Sequence, residues 1–188
     1  MTFLNPYFFF FLLINSCNTI NVEQTIDISN VDLKLRNGVI YYKERAFTGN
    51  LVSYYQNNKI ASDIQYVEGR KHGYEKKWYA TNNLAEERFY TNGIKVGVHR
   101  AWWKNRTLKF VYYFNSKGQY HGATKEWYTT GQLYKDFNYI NGIESGKQRL
   151  WKPSGMIKAN YEVINGERFG LIGLKKCKTV NVNSIKIK

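Results

Sequence analysis

Four cations and four indoles recur at fixed spacing and are the residues of this chain best equipped for recognition chemistry. Lys76, Arg100, Lys125 and Arg149 each stand two residues before Trp78, Trp102, Trp127 and Trp151. Alternate residues of a strand share a face, so in extended backbone each cation lies beside its indole and the pairs form a ribbon. Such a ribbon can stack bases and pair phosphates, as in single-strand nucleic-acid binders. It can equally anchor an acidic protein partner through aromatic and Arg side chains. The same pattern also suits an exposed sheet whose indoles pack on their neighbours simply to cover backbone, and at this level both readings stay open.

Other reactive side chains form no catalytic constellation. Of the three histidines, His72 and His121 precede equivalent glycines and His99 lies in a strand, and no pair has metal-ligand spacing with a carboxylate or thiol. Glu86, Glu87 and Asp136 lie on regular strand pattern with no nucleophile or glycine-rich phosphate loop nearby. The sequence therefore assigns no catalytic residue, no metal site and no cofactor.

The elements that position the ribbon follow from a repeat. Glycines at 49, 73, 97, 122, 146 and 170 are spaced 24, 24, 25, 24 and 24 residues apart, and a fixed period of this size marks a repeat array. Five residues after each of the first five glycines comes a pair of large residues: Tyr54-Tyr55, Trp78-Tyr79, Trp102-Trp103, Trp127-Tyr128 and Trp151-Lys152. Only the last pair breaks the aromatic rule. Two-residue turns are expected at Asn57-Asn58, Thr81-Asn82, Asn105-Arg106, Thr130-Gly131 and Ser154-Gly155. Second turns fall at Glu68-Gly69, Asn92-Gly93, Asn141-Gly142 and Asn165-Gly166, because Asn-Gly accepts the positive φ of a hairpin turn. In the third repeat Asn115-Ser116-Lys117-Gly118 absorbs the extra residue. Each repeat thus reads strand, turn, strand, turn, with no sustained helical period.

The fold class expected is all-β: an elongated, single-layer, twisted antiparallel sheet of tandem β-hairpin repeats of about 24 residues. In the hairpin register, the third position after each glycine faces the fourteenth. Lys76 then meets Glu87 and Lys125 meets Asp136, while Arg100 faces Val111 and Arg149 faces Asn160. On that reading the two arginines lack a carboxylate, and Arg100, Trp102, Arg149 and Trp151 are the part of the ribbon most available to a partner.

The repeated glycine, the aromatic pair, the Asn-Gly turns and the run Asn37-Gly38-Val39-Ile40-Tyr41-Tyr42 to Ala46-Phe47-Thr48-Gly49 resemble the MORN-repeat variant of bacterial proteins of the YwqK antitoxin type. The resemblance covers about residues 36–170, judged by repeat register. It implies a binding scaffold and, as for some members, a role in neutralising a toxin.

Composition and charge narrow the setting. With 43% hydrophobic and 22% charged residues the chain is neither disordered nor a multi-span membrane protein, and 17% aromatic content favours strands. Residues 49–170 carry 19 basic and 10 acidic side chains, and residues 171–188 five Lys and no acid. An acidic partner fits that balance, as does plain solubility. Tyr7 to Ile14 is an apolar run of eight, too short to span a bilayer and suited to a signal peptide. Leu13-Ile14-Asn15-Ser16-Cys17 resembles the lipobox of bacterial lipoproteins, which implies lipidation at Cys17. A cleaved signal without lipid, or a buried apolar strand, also fits this segment. Cys17 and Cys177 are separated by the whole array, which argues against a disulfide. Lys175, Lys176 and Lys178 around Cys177 favour its thiolate, although a packed lone Cys fits as well.

The organisation expected is a signal peptide (1–16), an N-terminal cap segment (17–48), five MORN-like hairpin repeats (49–170) and a basic C-terminal cap or tail (171–188). The function expected is a non-catalytic interaction scaffold, antitoxin- or immunity-like, lipid-anchored in the bacterial envelope and binding a protein partner stoichiometrically. Two alternatives remain: binding of a polyanion such as nucleic acid or glycan, and a purely structural envelope lipoprotein, with a secreted or periplasmic location for an unlipidated chain.

Overall fold

The computed structural model describes residues 24–173. The expectations for the signal peptide, Cys17, Cys177 and most of the basic tail lie outside the described residues.

Among these residues the chain is all-β, an open sheet not closed into a barrel. Five hairpins follow one another: β5 (Gly49–Tyr54) with β6 (Ile60–Val67), β7 (Arg70–Trp78) with β8 (Leu84–Thr91), β9 (Ile94–Trp102) with β10 (Leu108–Phe114), β11 (Tyr120–Trp127) with β12 (Leu133–Ile140), and β14 (Gly146–Trp151) with β15 (Ile157–Ile164). Each pairs antiparallel with the next, β16 (Glu167–Leu171) closes the row, and the two-residue β13 (Ile143–Glu144) pairs β12.

The N-terminal segment departs from a purely antiparallel, single-layer design. β1 (Gln24–Asp27) pairs parallel with β5. β2 (Leu33–Arg36), β3 (Val39–Tyr42) and β4 (Arg45–Ala46) form a separate three-stranded sheet. Ile26, Phe47 and Leu51 are buried together, with Leu33, Ile40, Tyr42 and Tyr66 packed against them. The small sheet is stitched to the array by backbone bonds from Ile40 N–H to the Gly69 carbonyl and from Gly69 N–H to the Phe47 carbonyl, 2.9 and 2.7 Å. A Cβ at Gly69 would lie 2.5 Å from the Ile40 carbonyl oxygen, so only glycine permits this approach.

The hairpin register agrees with the sequence: Lys76 pairs Glu87, Arg100 pairs Val111, Lys125 pairs Asp136 and Arg149 pairs Asn160. The first turns differ in form. Each is a three-residue loop rather than a two-residue one, as where Tyr79 N–H donates to the Asn83 carbonyl and Asn82 N–H to that of Tyr79. Asn58, Asn82, Arg106, Gly131 and Gly155 take the left-handed position. A register shift just inside the loop, as between Lys77 and Trp78, absorbs the odd residue, so the faces do not exchange. The second turns are as expected, with positive φ at both residues of Glu68-Gly69, Asn92-Gly93, Asn141-Gly142 and Asn165-Gly166.

The repeat glycine marks a bulge between hairpins. Ile64 pairs Glu75 and Tyr66 pairs Lys71, so Gln65 faces three residues of β7, His72 to Tyr74. Gly73 there has φ 84°, and Gly97, Gly122 and Gly146 have 67°, 96° and 70°. This is backbone that side-chain-bearing residues resist, which explains the period.

One face of the array is the core. The second residue after each repeat glycine is buried in all five hairpins: Leu51, Glu75, His99, Thr124 and Gln148 are 2%, 3%, 2%, 1% and 0% exposed. Aromatic rings roof this face in an unbroken series, Tyr90 to His99, His99 to Phe114, Phe114 to Tyr120 and Tyr120 to Tyr139, with centroids 4.6 to 5.6 Å apart. An open sheet buries its own face here with large rings, which accounts for part of the aromatic content. Ala159, Tyr161 and Val163 form a second core at the far end.

Candidate functional site

The opposite face carries the ribbon. A single register row crosses the sheet in the order Val52, Asp63, Lys76, Glu87, Arg100, Val111, Lys125, Asp136, Arg149, Asn160. The four sequence-nominated cations occupy this row, each 37–43% exposed at the side chain. Trp78, Trp102, Trp127 and Trp151 stand two residues further along their strands, all half-buried. The Arg149 guanidinium lies 5.9 Å from the centre of the Trp151 ring, which places cation and indole on one face.

The expectation that Arg100 and Arg149 lack a carboxylate is overturned. Glu87 bridges Lys76 and Arg100, each at 3.6 Å. Asp136 bridges Lys125 at 3.9 Å and Arg149 at 3.6 Å. The reason is topological: each carboxylate has a neighbour across its own hairpin and another across the junction with the next hairpin. Hairpin register alone shows only the first. Two equivalent cation-carboxylate-cation bridges result, so the arginines are no more available than the lysines. Exposed pairs of this kind contribute about 0–1 kcal/mol each.

Between the two bridges the pattern is interrupted. Val111 stands where the alternation calls for a carboxylate, flanked by Arg100 and Lys125. Beside it lies a shallow hollow of about 430 Å³, lined by Val111, Tyr113, His121, Ala123, Lys125 and Trp127.

The second member of each aromatic pair has a role that spacing alone did not show. Tyr55 Oη donates to the Trp78 carbonyl, Tyr79 Oη to that of Trp102, Trp103 Nε1 to that of Trp127 and Tyr128 Oη to that of Trp151, at 2.6 to 3.1 Å. Each hairpin is thereby pinned to the next. His72 and His121 belong to the same stitching. The His72 ring hydrogen-bonds Asn92 Oδ1 at 3.2 Å, and Asn141 N–H donates to His121 Nδ1 at 3.4 Å.

Polar groups buried on the core face also escaped the sequence reading. Burial works to raise the Glu75 pKa, but a 2.6 Å hydrogen bond from Lys71 and the charge of Lys77 at 3.2 Å outweigh it and hold the carboxyl at about 2. Burial, with the charge of Glu75, pushes the Tyr90 phenol up to about 12. His99 is held below its ordinary value mainly by burial, and its Nε2 lies 2.8 Å from the Phe89 carbonyl oxygen. Gln148, fully enclosed, donates to the Asn138 and Ser145 carbonyls and accepts from Asn138 N–H. These groups sustain the bulges and core; they do not converge on an open cleft.

The sequence matches no protein-family model and none of the curated proteins. Among solved structures, the chain is similar to a mutant of S. aureus TarM in complex with fondaparinux, α-GlcNAc-glycerol and UDP, at 10% identity and a TM-score of 0.31. That likeness takes in 61% of this chain and 21% of TarM, so the chain spans about a fifth of that protein's length, and at this TM-score it bears on neither activity nor ligand.

Proposed function

We propose that this chain is a non-catalytic scaffold whose ribbon face binds one protein partner stoichiometrically and masks it, as an immunity or antitoxin-like protein would. The observation that supports this most is the placement of Glu87 and Asp136 among the four cations. A polyanion gains from uniform positive charge, and its phosphates or sulfates would meet two carboxylates here. A protein surface of mixed charge gains from the alternation, with half-buried indoles as anchors. The resemblance to the YwqK-type MORN variant agrees with this role, and in this reading Cys17 carries a lipid that holds the scaffold at the cell envelope.

The test is affinity capture with the tagged chain at low and high salt, followed by calorimetry on the purified species retained. The expected result is one protein, retained at both salt concentrations, bound at a one-to-one ratio and lost when Trp102 and Trp127 are both replaced by Ser. Retention of nucleic acid or glycan alone, released steeply with salt, would establish the polyanion reading instead.

A further inference from the structure

The ribbon row contains its own template for a ligand group. Glu87, on β8, reaches Lys76 on β7 and Arg100 on β9, and Asp136 does the same between β11 and β14. Arg100 and Lys125 flank β10 in the same way, two inter-strand spacings or roughly 10 Å apart at the backbone. The residue between them is Val111, which leaves two adjacent cations facing an apolar floor. Their existing ion pairs, at 3.6 and 3.9 Å, are longer than hydrogen bonds. A guanidinium has five donors and an ammonium three, so both cations retain capacity for another acceptor.

Resting on the scaffold reading, we infer that the gap at Val111 is the specificity site of the ribbon: a carboxylate from an extended acidic segment of the partner protein enters between Arg100 and Lys125 and completes the alternation. The adjoining hollow gives that segment a place for a neighbouring apolar side chain, against Ala123, Tyr113 and Trp127. Residues 1–23 and 174–188 are poor sources of the carboxylate, since the former hold one acidic side chain, Glu23, and the latter none. A peptide suits the site better than a nucleic acid because the apolar floor is a single gap bounded by Glu87 and Asp136. Continuous phosphates would run into both carboxylates.

The experiment supplies the missing carboxylate in cis. The probe is a short fluorescein-labelled peptide alternating Glu and Leu, with its Gln-for-Glu counterpart and a thymidine oligonucleotide as comparisons, read by fluorescence anisotropy on the full chain. Val111→Glu fills the gap, Val111→Gln matches its size without charge, and Asn160→Glu adds the same charge elsewhere in the row. The Glu peptide is expected to bind wild type, Val111→Gln and Asn160→Glu alike, and Val111→Glu at least about tenfold more weakly, with every variant melting cooperatively. Equal weakening by Val111→Glu and Asn160→Glu would reduce the effect to bulk charge and overturn the site. So would no binding of the Glu peptide to wild type, equal binding of the Gln peptide, or tighter binding of the oligonucleotide with the same dependence on position 111. A captured partner that survives Val111→Glu would overturn this site while leaving the scaffold reading intact.

Discussion

The phenol of Tyr79 donates a 2.8 Å hydrogen bond to the main-chain carbonyl of Trp102, one hairpin further along. The paired aromatics are therefore a joint: the first residue offers its carbonyl and the second, from the preceding hairpin, reaches it. Tyr79→Phe keeps the ring and removes the donor, and is expected to cost about 1 kcal/mol. Tyr128→Phe, two hairpins away, should cost a similar amount, and the double variant their sum. Urea midpoints measured at constant m would check this, and a cost near zero for both would mean the rings alone hold the joint.

Glu75 gives the fold an acid-sensitive point. Its carboxyl sits at about 2, against an ordinary 4.5. The stabilisation from this lowered value is complete above pH 4.5 and is lost as pH falls through the interval toward 2. Glu75→Gln should be destabilised by roughly 2–3 kcal/mol near neutrality. That is below the figure for a fully enclosed pair because Lys71 and Lys77 reach water. The difference between variant and wild type should shrink steadily below pH 4.5, and a pH-independent difference would rule out the ionic account.

His99 responds in a different window. Burial holds its pKa below the ordinary 6.5, so the imidazole stays neutral in the fold while the unfolded chain begins to take up a proton. Its contribution is complete above pH 6.5 and lost as pH falls below that value. Unfolding midpoints from about pH 7.5 to about pH 5.5 should decline for wild type and flatten for His99→Gln.

Much of the fold was legible because its punctuation is stereochemical. Asn92-Gly93 and Asn141-Gly142 announce positive φ directly, and the glycine period marks the bulges. Junctions between hairpins were not legible. At the first three a single residue, such as Gln65, faces three, and at the fourth Phe137 and Asn138 lie opposite the four residues 145–148; this offset cannot be counted from turn spacing, and it hid the second partners of Glu87 and Asp136. The core face was obscured for a related reason, since Glu75, His99 and Gln148 are polar side chains in an alternating strand and read as solvent-facing until register puts rings over them. β1 and the three short strands after it carry too few residues for any period to show.

The proposed anchor at Cys17 is tested by Cys17→Ser. The wild-type chain should fractionate with membranes and show a mature mass that includes lipid, while the variant should be unprocessed or soluble. Identical fractionation and mass in the two would remove the lipid anchor from the proposal.

Strand order along the array follows chain order from β5 to β12, and on through β14 to β16. Each new strand therefore closes only a short loop, and the entropy lost at every closure is small. Assembly can start at any hairpin and spread to either side as a one-dimensional zipper. The parallel contact of β1 with β5 is the exception, because the small sheet lies between them in sequence. By the same argument β1 is expected to dock after the array has formed, and hydrogen exchange pulse-labelled during refolding should then protect β5 to β12 before Gln24–Asp27.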